Sequence, residues 1–176
     1  MGSRTRRTAP RASDRSAPSI PTVPRAGVAD VPARLAAVDR ARRHAALATD
    51  SGGRPYLSLV AFALAPGGAA VLFATPRDSR KFRNLRRNPQ LALLLDTRGE
   101  RDRDYGSAEA ITVVGRASVL RAGSSRWRAA QRALRSKHPA LASFLGAATT
   151  ALVSVGIEEA VHVGGFQRVT TWRPAP

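Results

Sequence analysis

A basic segment that carries hydroxyl groups lies between two apolar segments near the middle of the chain. It covers residues 75–90 and reads TPRDSRKFRNLRRNPQ. Its helix-forming composition between two strand-like runs predicts a fold that mixes strands with helices. The start of such a helix offers unpaired N–H groups and the positive end of its dipole. Thr75 and Ser79 add hydroxyl groups, and Arg80 and Lys81 add positive charge. The segment is therefore predicted to bind the phosphate of an anionic ligand.

The rest of the chain predicts strands interrupted by helices. Asp30 suits the cap of a first helix with Pro32 in its first turn, and this helix is predicted to continue to about Thr49, where the Ser-Gly-Gly at 51–53 ends it. The other predicted elements are strands at 56–64 and 70–74 joined by a turn at 66–68, the phosphate-site helix at 78–87, a buried strand at 91–95, a charged loop at 96–105, a long strand at 107–120, helices at 124–137 and 139–145, and closing strands at 149–156 and 160–166. This order predicts an α+β protein built on a small antiparallel barrel.

Length and composition leave room for one folded domain. With 176 residues and 43% hydrophobic positions, the chain can bury roughly two-thirds of its unfolded surface. We expect the domain to span residues 30–172, with a short tail at 173–176. Residues 1–29 carry six arginines and four prolines with few large apolar side chains. That composition predicts a disordered basic tail.

The absence of cysteine excludes disulfides, thiolate nucleophiles and iron–sulfur clusters. The arginines near the N-terminus precede no apolar segment of the kind found in signal peptides, and no later segment is long enough to span a membrane. We therefore expect a cytoplasmic protein with no membrane partner.

The chain is strongly basic, with 29 Lys and Arg residues against 12 Asp and Glu residues and a net charge of +17. This charge predicts non-specific binding of polyanions through the Arg-rich surface and the tail. Helix-turn-helix, zinc-finger and RNP-like patterns are missing, so we do not expect the protein to read bases. No acidic residue lies between Glu109 and Glu158, and the resulting positive field favours an anionic substrate or partner.

The three histidines show no metal-binding spacing. His44 falls within the first predicted helix, and His138 precedes a proline at a helix end. His162 alternates with valines on a predicted strand. If it faces the barrel surface, His162 is a candidate haem ligand or acid–base group, although a lone strand histidine is more often structural.

Three motifs resemble the pyridoxamine 5′-phosphate oxidase-like FMN-binding split barrels. They are Thr-x-x-x-Ser-Arg-Lys at 75–81, Asn-Leu-Arg-Arg-Asn-Pro at 84–89 and Val-Gly-Arg at 114–116. The resemblance covers about residues 33–172. Its C-terminal part, the His-Pro at 138–139 and the segment 158–166, is similar to the haem-utilisation branch of that superfamily. The resemblance implies a small antiparallel split β-barrel of about six strands with two to four flanking helices.

By this resemblance, Thr75 and Ser79 would donate hydrogen bonds to an FMN phosphate, and Arg80 and Lys81 would balance its charge. Ser58 stands where the family oxidases carry an arginine on the first barrel strand, and it is included in the implied cofactor site. The C-terminal segment lacks the substrate-binding basic and aromatic residues of the family enzyme. We therefore do not expect oxidation of pyridoxamine phosphate itself.

The resemblance implies an FMN-dependent oxidoreductase that acts on a small substrate and has no assigned catalytic side chain. It also implies a homodimer with its flavins at the subunit boundary, to which the run 91–95 and the strand with Val113 and Val114 would contribute. A deazaflavin coenzyme in place of FMN is an alternative. A haem-binding or haem-utilisation protein and a non-catalytic module that binds flavin or polyanions are the other hypotheses.

Overall fold

The structure, a computed structural model, describes residues 30–97, 109–164 and 168–175. These residues form seven strands: β1 His44–Asp50, β2 Pro55–Leu64, β3 Ala70–Pro76, β4 Gln90–Asp96, β5 Ala110–Val119, β6 Thr150–Gly164 and β7 Arg168–Trp172. They also form four α-helices: α1 Val31–Ala41, α2 Arg80–Arg87, α3 Ser125–Lys137 and α4 Ala142–Gly146, the last directly after a 3₁₀ turn at Pro139–Leu141. The predicted tail at 1–29 and most of the predicted loop at 96–105 lie outside the described residues.

The strands form one antiparallel sheet in the order β3-β2-β1-β4-β5-β6-β7. β3 also pairs with β6, with Thr75 opposite Ala151, and this pairing closes six strands into a barrel. β6 has 15 residues, enough to pair with β5 along one edge and with β3 and then β7 along the other. The prediction of an α+β antiparallel barrel of about six strands with two to four helices is confirmed.

The main hydrophobic core fills the barrel. Alternate residues of each strand point inward, as the two-residue period of a strand requires, and the largest fully buried side chains include Phe62, Phe73, Leu47, Leu93 and Ile111. α1 packs at the end of the barrel where β2 finishes, since Leu35 joins the core and the Asp39 carboxylate accepts a hydrogen bond from the Leu64 N–H at 3.0 Å. α2 packs at the opposite end, where β1 and β2 are joined, and contributes Leu85 to the core.

A second, smaller cluster lies outside the barrel, where α3 and α4 cover β3 and β6. Leu134 of α3 and Leu145 of α4 belong to this cluster with Leu72 and Leu152 of the strands. Those two strand residues point outward because their chain neighbours point into the barrel. The cluster holds the two helices against the sheet.

The first predicted helix is wrong in its second half. α1 ends at Ala41, and His44–Asp50 is β1. The alanines of this stretch suit a helix, but pairing with β2 on one side and β4 on the other makes it a strand. The residues predicted to end the helix instead form the β1–β2 turn, where Gly52 and Gly53 adopt positive φ angles of 66° and 80°.

The apolar run 91–95 predicts a strand that is buried on both faces. In the structure, β4 is buried on one face only. Its side chains alternate, so that Leu91, Leu93 and Leu95 lie in the core while Leu94 is 40% exposed. Val113 of β5 is also fully buried. Those four core residues face the barrel interior, whereas Leu94 and the half-buried Val114 face outward, so the contribution of this run and strand to a subunit boundary stays a prediction.

The two predicted closing strands form one strand, β6. Val114 of β5 is opposite Glu159, and Gly115 is opposite Ile157, so Glu158 is the extra residue of a β-bulge. The bulge bends β6 but does not end it. The end of the predicted strand at 160–166 lies partly outside the described residues. β7, for which the sequence analysis offers no prediction, pairs with the last five residues of β6.

Candidate functional site

The start of α2 brings Thr75 and Ser79 together. Ser79 is the N-cap, and its Oγ accepts a hydrogen bond from the Phe82 N–H at 3.3 Å. The Thr75 and Ser79 hydroxyl oxygens are 2.8 Å apart and share a hydrogen bond. Thr75 is completely buried at the end of β3. The two hydroxyls therefore serve first to fix the entry of the chain into the helix.

Arg80 and Lys81 follow at the first two positions of α2. The Arg80 guanidinium lies over the Tyr56 ring at 4.5 Å and donates to the Ser51 hydroxyl at 3.1 and 3.3 Å. Lys81 is half-buried and forms no ion pair or hydrogen bond with any described residue. Arg80 is thus held in place, whereas the Lys81 ammonium is available to a ligand.

The start of α2 is positively charged, as is the start of α3, which carries Arg126 and Arg128. A helix normally carries acidic residues near its N-terminus, because the dipole is positive there. The first turn of α2 has no acidic residue and two cations, and the backbone N–H groups of Arg80 and Lys81 have no carbonyl partner within the helix. Positive charges and free N–H donors therefore converge at one point, which is how proteins bind phosphate groups.

The base of α2 is anchored by polar residues that the sequence analysis missed. The buried Asn84 side chain donates to the Thr49 hydroxyl at 3.0 Å, and the Asn88 side chain donates to the Asp50 carboxylate at 3.3 Å. Asp50 also accepts a hydrogen bond from the Gly53 N–H at 2.7 Å. These contacts fix the β1–β2 turn, and with it the Ser51 hydroxyl that holds Arg80. The two asparagine contacts join residues 35 and 38 positions apart, so no local pattern predicts them.

A shallow cleft of about 340 Å³ borders the same turn. Its lining residues are Ala48, Thr49, Asp50, Gly53, Pro55, Asn88, Gln90, Leu91 and Val114. The lining is mostly apolar with a few polar side chains, a combination typical of small-molecule sites.

Ser58 lies on β2 opposite Leu47 of β1. Its Oγ is buried and has no hydrogen-bond partner among the described residues. A buried hydroxyl without a partner is costly, and such groups are uncommon in folded proteins. Within the described residues, no hydrogen bond or ion pair joins Ser58 to the start of α2, so the structure does not bring it together with the other four predicted residues.

His162 does not face the barrel surface. It is 6% exposed, and its Nε2 lies 3.7 Å from the Glu109 carboxylate. Glu109 also pairs with Arg34 of α1 at 3.2 Å. Gly164 leaves the space for this arrangement, because a Cβ there would lie 3.0 Å from the His162 ring. His162 is thus a buried imidazole beside the more exposed Glu109–Arg34 ion pair, between α1 and β6.

His138 lies at the end of a helix before Pro139, as predicted, whereas His44 does not lie in a helix. His44 is exposed at the start of β1. His138 is buried, with its Nε2 2.8 Å from the Phe62 carbonyl oxygen. Burial, with added repulsion from the charges of Lys137 and Arg43, lowers the pKa of His138. Burial also lowers the pKa of Lys137, although that ammonium donates to the Asp39 carboxylate at 2.6 Å. Within the described residues, no group of three or more acidic or histidine side chains is placed to hold a metal ion.

The sequence model of pyridoxamine 5′-phosphate oxidase matches residues 32–163, three-quarters of the chain. The chain belongs to the pyridoxamine 5′-phosphate oxidase family. The resemblance stated from the motifs is therefore confirmed. No curated protein sequence matches the chain significantly.

Solved structures share the fold of this family member at low sequence identity. A haem-binding protein from Mycobacterium smegmatis is 20% identical with a TM-score of 0.72, and the match covers 86% of this chain and 60% of that one. HutZ, a haem storage protein from Vibrio cholerae, is 20% identical with a TM-score of 0.63, and the coverages are 72% and 89%. A FAD-binding protein from Mesorhizobium loti is 18% identical with a TM-score of 0.61, and the coverages are 74% and 90%. Proteins with this fold thus include both haem-binding and flavin-binding members.

None of the described helices is both long enough and apolar enough to cross a membrane.

Proposed function

We propose that this family member is a flavoprotein that binds FMN, with the phosphate at the N-terminus of α2, and that it acts as an oxidoreductase on a small substrate. The observation that carries the proposal is the combination of two cations with the Thr75–Ser79 hydroxyl pair at the start of α2, where the helix dipole opposes positive charge; α3 also begins with cations, but no such hydroxyl pair is found there among the described residues. A bound phosphate would balance both cations and accept hydrogen bonds from the free N–H groups.

The residues present fit a phosphate group. The Lys81 ammonium has no partner in the described part of the chain, and Arg80 is held beside it by Tyr56 and Ser51. Ser79 would donate its hydroxyl proton to the phosphate while its oxygen still accepts from Phe82. Thr75 would act through Ser79, because Thr75 is completely buried and shares a hydrogen bond with the Ser79 hydroxyl. The unpartnered Ser58 hydroxyl is a further candidate contact.

When bound, FMN would supply the hydride or electron transfer, so the protein needs no nucleophile of its own. The roles left to this chain are to hold the phosphate, to position the ring and to exclude water. In the proposal, Arg80 and Lys81 hold the phosphate. The mostly apolar cleft beside the β1–β2 turn offers a surface that would position the ring. A deazaflavin coenzyme would use the same anionic anchor.

The test is an absorbance spectrum of the purified protein and mass spectrometry of any released chromophore, followed by titrations with FMN, a deazaflavin coenzyme and haemin. We expect FMN to bind stoichiometrically. The double variant R80A/K81A should lose FMN affinity, because it removes both charges at the phosphate. The matched control is R86A/R87A, which removes two cations from the last turn of the same helix and should keep FMN affinity. Equal losses in both variants, or no flavin binding at all, would contradict the proposal.

The partner is a second copy of this chain. Five large apolar side chains are 39–69% exposed, and they are Leu57, Leu59, Leu94, Val163 and Val169. The strand register puts them on one outer face of the sheet, because Leu59 and Leu94 both flank Ala46 of β1, and Val163 is opposite Val169. Apolar surfaces of this kind mark protein interfaces, and the family resemblance favours a homodimer.

The dimer is tested by light scattering across a concentration series. L57D/L59D should shift the protein to monomers, because it places two charges in a desolvated interface. A140D, which adds one charge at an exposed residue of the 3₁₀ turn, should leave the dimer intact. A monomeric wild-type protein would contradict this part of the proposal.

Haem binding is the second candidate function, and the fold likeness to haem proteins supports it. The haem ligand suggested by the sequence is His162. Its Nε2 is buried near the Glu109 carboxylate, so iron ligation would require the imidazole to leave that position. The haemin titration separates the candidates, since haem binding through this residue would disappear in H162A while FMN binding would not. A non-catalytic role in binding flavin or polyanions and a cytoplasmic location stay predictions of the sequence.

A further inference from the structure

A pocket of about 470 Å³ lies on the outside of the barrel, between the strands and the first half of α3. We call it the α3 pocket. It is lined by Ala65, Pro66, Ala69, Ala70, Leu72, Ser118, Leu120, Arg126, Ala129, Ala130, Ser154 and Gly156. Its floor comes from outward residues of β3, β5 and β6, one wall comes from α3, and the β2–β3 turn closes one side.

The pocket exists because small residues occupy positions where larger ones would fill the space. Ala129 and Ala130 of α3 face a floor that contains Ala70 and Gly156. Gly156 is notable, because a Cβ added there would meet no atom within 4 Å and the backbone does not have a positive φ. A glycine inside a strand is less stable than an alanine there. Neither backbone geometry nor close packing of a side chain requires glycine at this place.

The lining is mainly aliphatic but carries three polar groups. Ser118 of β5 and Ser154 of β6 are directly opposite each other in the strand register, so their hydroxyls are neighbours on the floor. Arg126 of α3 borders the pocket. None of these three side chains forms a hydrogen bond or ion pair with a described residue. The pocket thus offers a cation and two hydroxyl donors beside an aliphatic surface.

The surrounding charge favours an anion. α3 carries four arginines and one lysine and no acidic residue. The carboxylate geometry matches the planar fork of an arginine, and hydrogen bonds between charged groups are stronger than those between neutral ones. No aromatic side chain lines the pocket, so stacking with a flat ring is not what this surface offers.

The α3 pocket is separate from the start of α2. Ala70 at the pocket and Thr75 beside α2 are at opposite ends of β3, about 17 Å apart at the rise of an extended strand. The pocket also faces outward, whereas Thr75 is fully buried.

We propose that the α3 pocket is a second ligand site, which binds a short aliphatic carboxylate with its chain on the Leu72 and Leu120 floor and its carboxylate at Arg126 and the two serines. This site is independent of the proposed cofactor function, and its test does not require bound flavin.

The test is binding of octanoate to the full-length protein, measured by saturation-transfer NMR and calorimetry below the micelle concentration, with octan-1-ol as the neutral probe of equal length. We expect saturable octanoate binding and at least roughly tenfold weaker binding of octan-1-ol, because the alcohol lacks the charge that pairs with Arg126. R126Q should weaken octanoate by a similar factor. R132Q is the matched control, since Arg132 is an exposed arginine of α3 that does not line the pocket, and it should bind octanoate as the wild type does.

Two variants that fill the pocket complete the test. G156V adds a side chain on the floor, where a Cβ has free space, and A129L adds one from the helix, where leucine is well tolerated. Either variant that keeps the wild-type circular dichroism spectrum should abolish octanoate binding. The proposal is overturned if octanoate shows no saturable binding, or if octanoate and octan-1-ol bind equally. It is also overturned if R126Q and R132Q lose equal affinity, or if octanoate still binds to a folded variant whose pocket is filled. Displacement of octanoate by FMN would overturn it as well.

Discussion

Replacement of Lys81 by glutamine is expected to stabilise the protein while weakening its hold on FMN. The ammonium sits in the first turn of α2, where the helix dipole disfavours a cation, and no described residue pairs with it. K81Q removes the charge, keeps most of the side-chain length and breaks no contact in the described part of the structure.

The magnitude follows from the position of the charge. One cation near a helix N-terminus is worth about 0.3–1 kcal/mol, so the free energy of unfolding should rise by that amount. For a domain of this size the melting temperature should rise by about 1–4 °C. Loss of one charge-assisted hydrogen bond to the phosphate, about 1.5–3 kcal/mol, should weaken FMN binding by roughly 10- to 150-fold.

The assay is urea unfolding of the flavin-free protein at low salt and at high salt, together with an FMN titration. The matched control is R86Q, which removes the same charge from the last turn of α2. The dipole favours a cation there, so R86Q should lower stability by a similar amount and leave FMN affinity unchanged. Both stability changes should shrink at high salt, because exposed charges are screened. The reasoning is refuted if K81Q destabilises the protein as R86Q does, or if it binds FMN as tightly as the wild type.

Three further predictions concern the frame of the site. G115A should cost at least about 1–3 kcal/mol in urea unfolding, because its Cβ would lie 2.2 Å from the Gly156 carbonyl oxygen. G156A should be neutral or slightly stabilising, because a Cβ there meets no atom, and equal effects of the two variants would contradict the close approach. N84A should cost about 1–3 kcal/mol, since it removes the hydrogen bond to the buried Thr49 hydroxyl, and a cost near zero would show that water replaces the amide. The lowered pKa of His138 means that the unfolded chain binds a proton first as the pH falls, so stability should drop below about pH 7. H138Q should show a smaller drop in melting temperature between about pH 7 and pH 5, and parallel curves for the two proteins would rule out this linkage.

Local chemistry made the start of α2 predictable from the sequence. A serine before a basic amphipathic helix is a capping signal, and the asparagine–proline pair marks the helix end. The structure ends the helix at Arg87, as predicted, but places the cap at Ser79 and the first helical residue at Arg80, two residues after the predicted start at 78. The hydrogen bond from Asn84 to Thr49 and the stacking of Arg80 over Tyr56 join the helix to strands that are distant in the sequence. No local sequence pattern predicts these contacts.

The errors in the predicted fold have the same origin. The alanines of β1 fit a helical period as well as a strand period, and only the pairing with β2 and β4 makes this stretch a strand. β6 was divided into two predicted strands at Ile157–Glu159, because a bulge cannot be told from a turn without its partner strand. The unpartnered Ser58 hydroxyl and the outer apolar face, likewise, become visible only when the strands are in register.

The phosphate anchor is tested most directly by comparing the affinities of FMN and riboflavin, which share the ring system and differ by the phosphate. Both are titrated into flavin-free protein by fluorescence quenching, at low salt and with inorganic phosphate as a competitor. If the start of α2 holds the phosphate, FMN should bind at least roughly tenfold more tightly than riboflavin, and phosphate should compete with FMN alone. Equal affinities, or riboflavin binding that phosphate also displaces, would contradict the account.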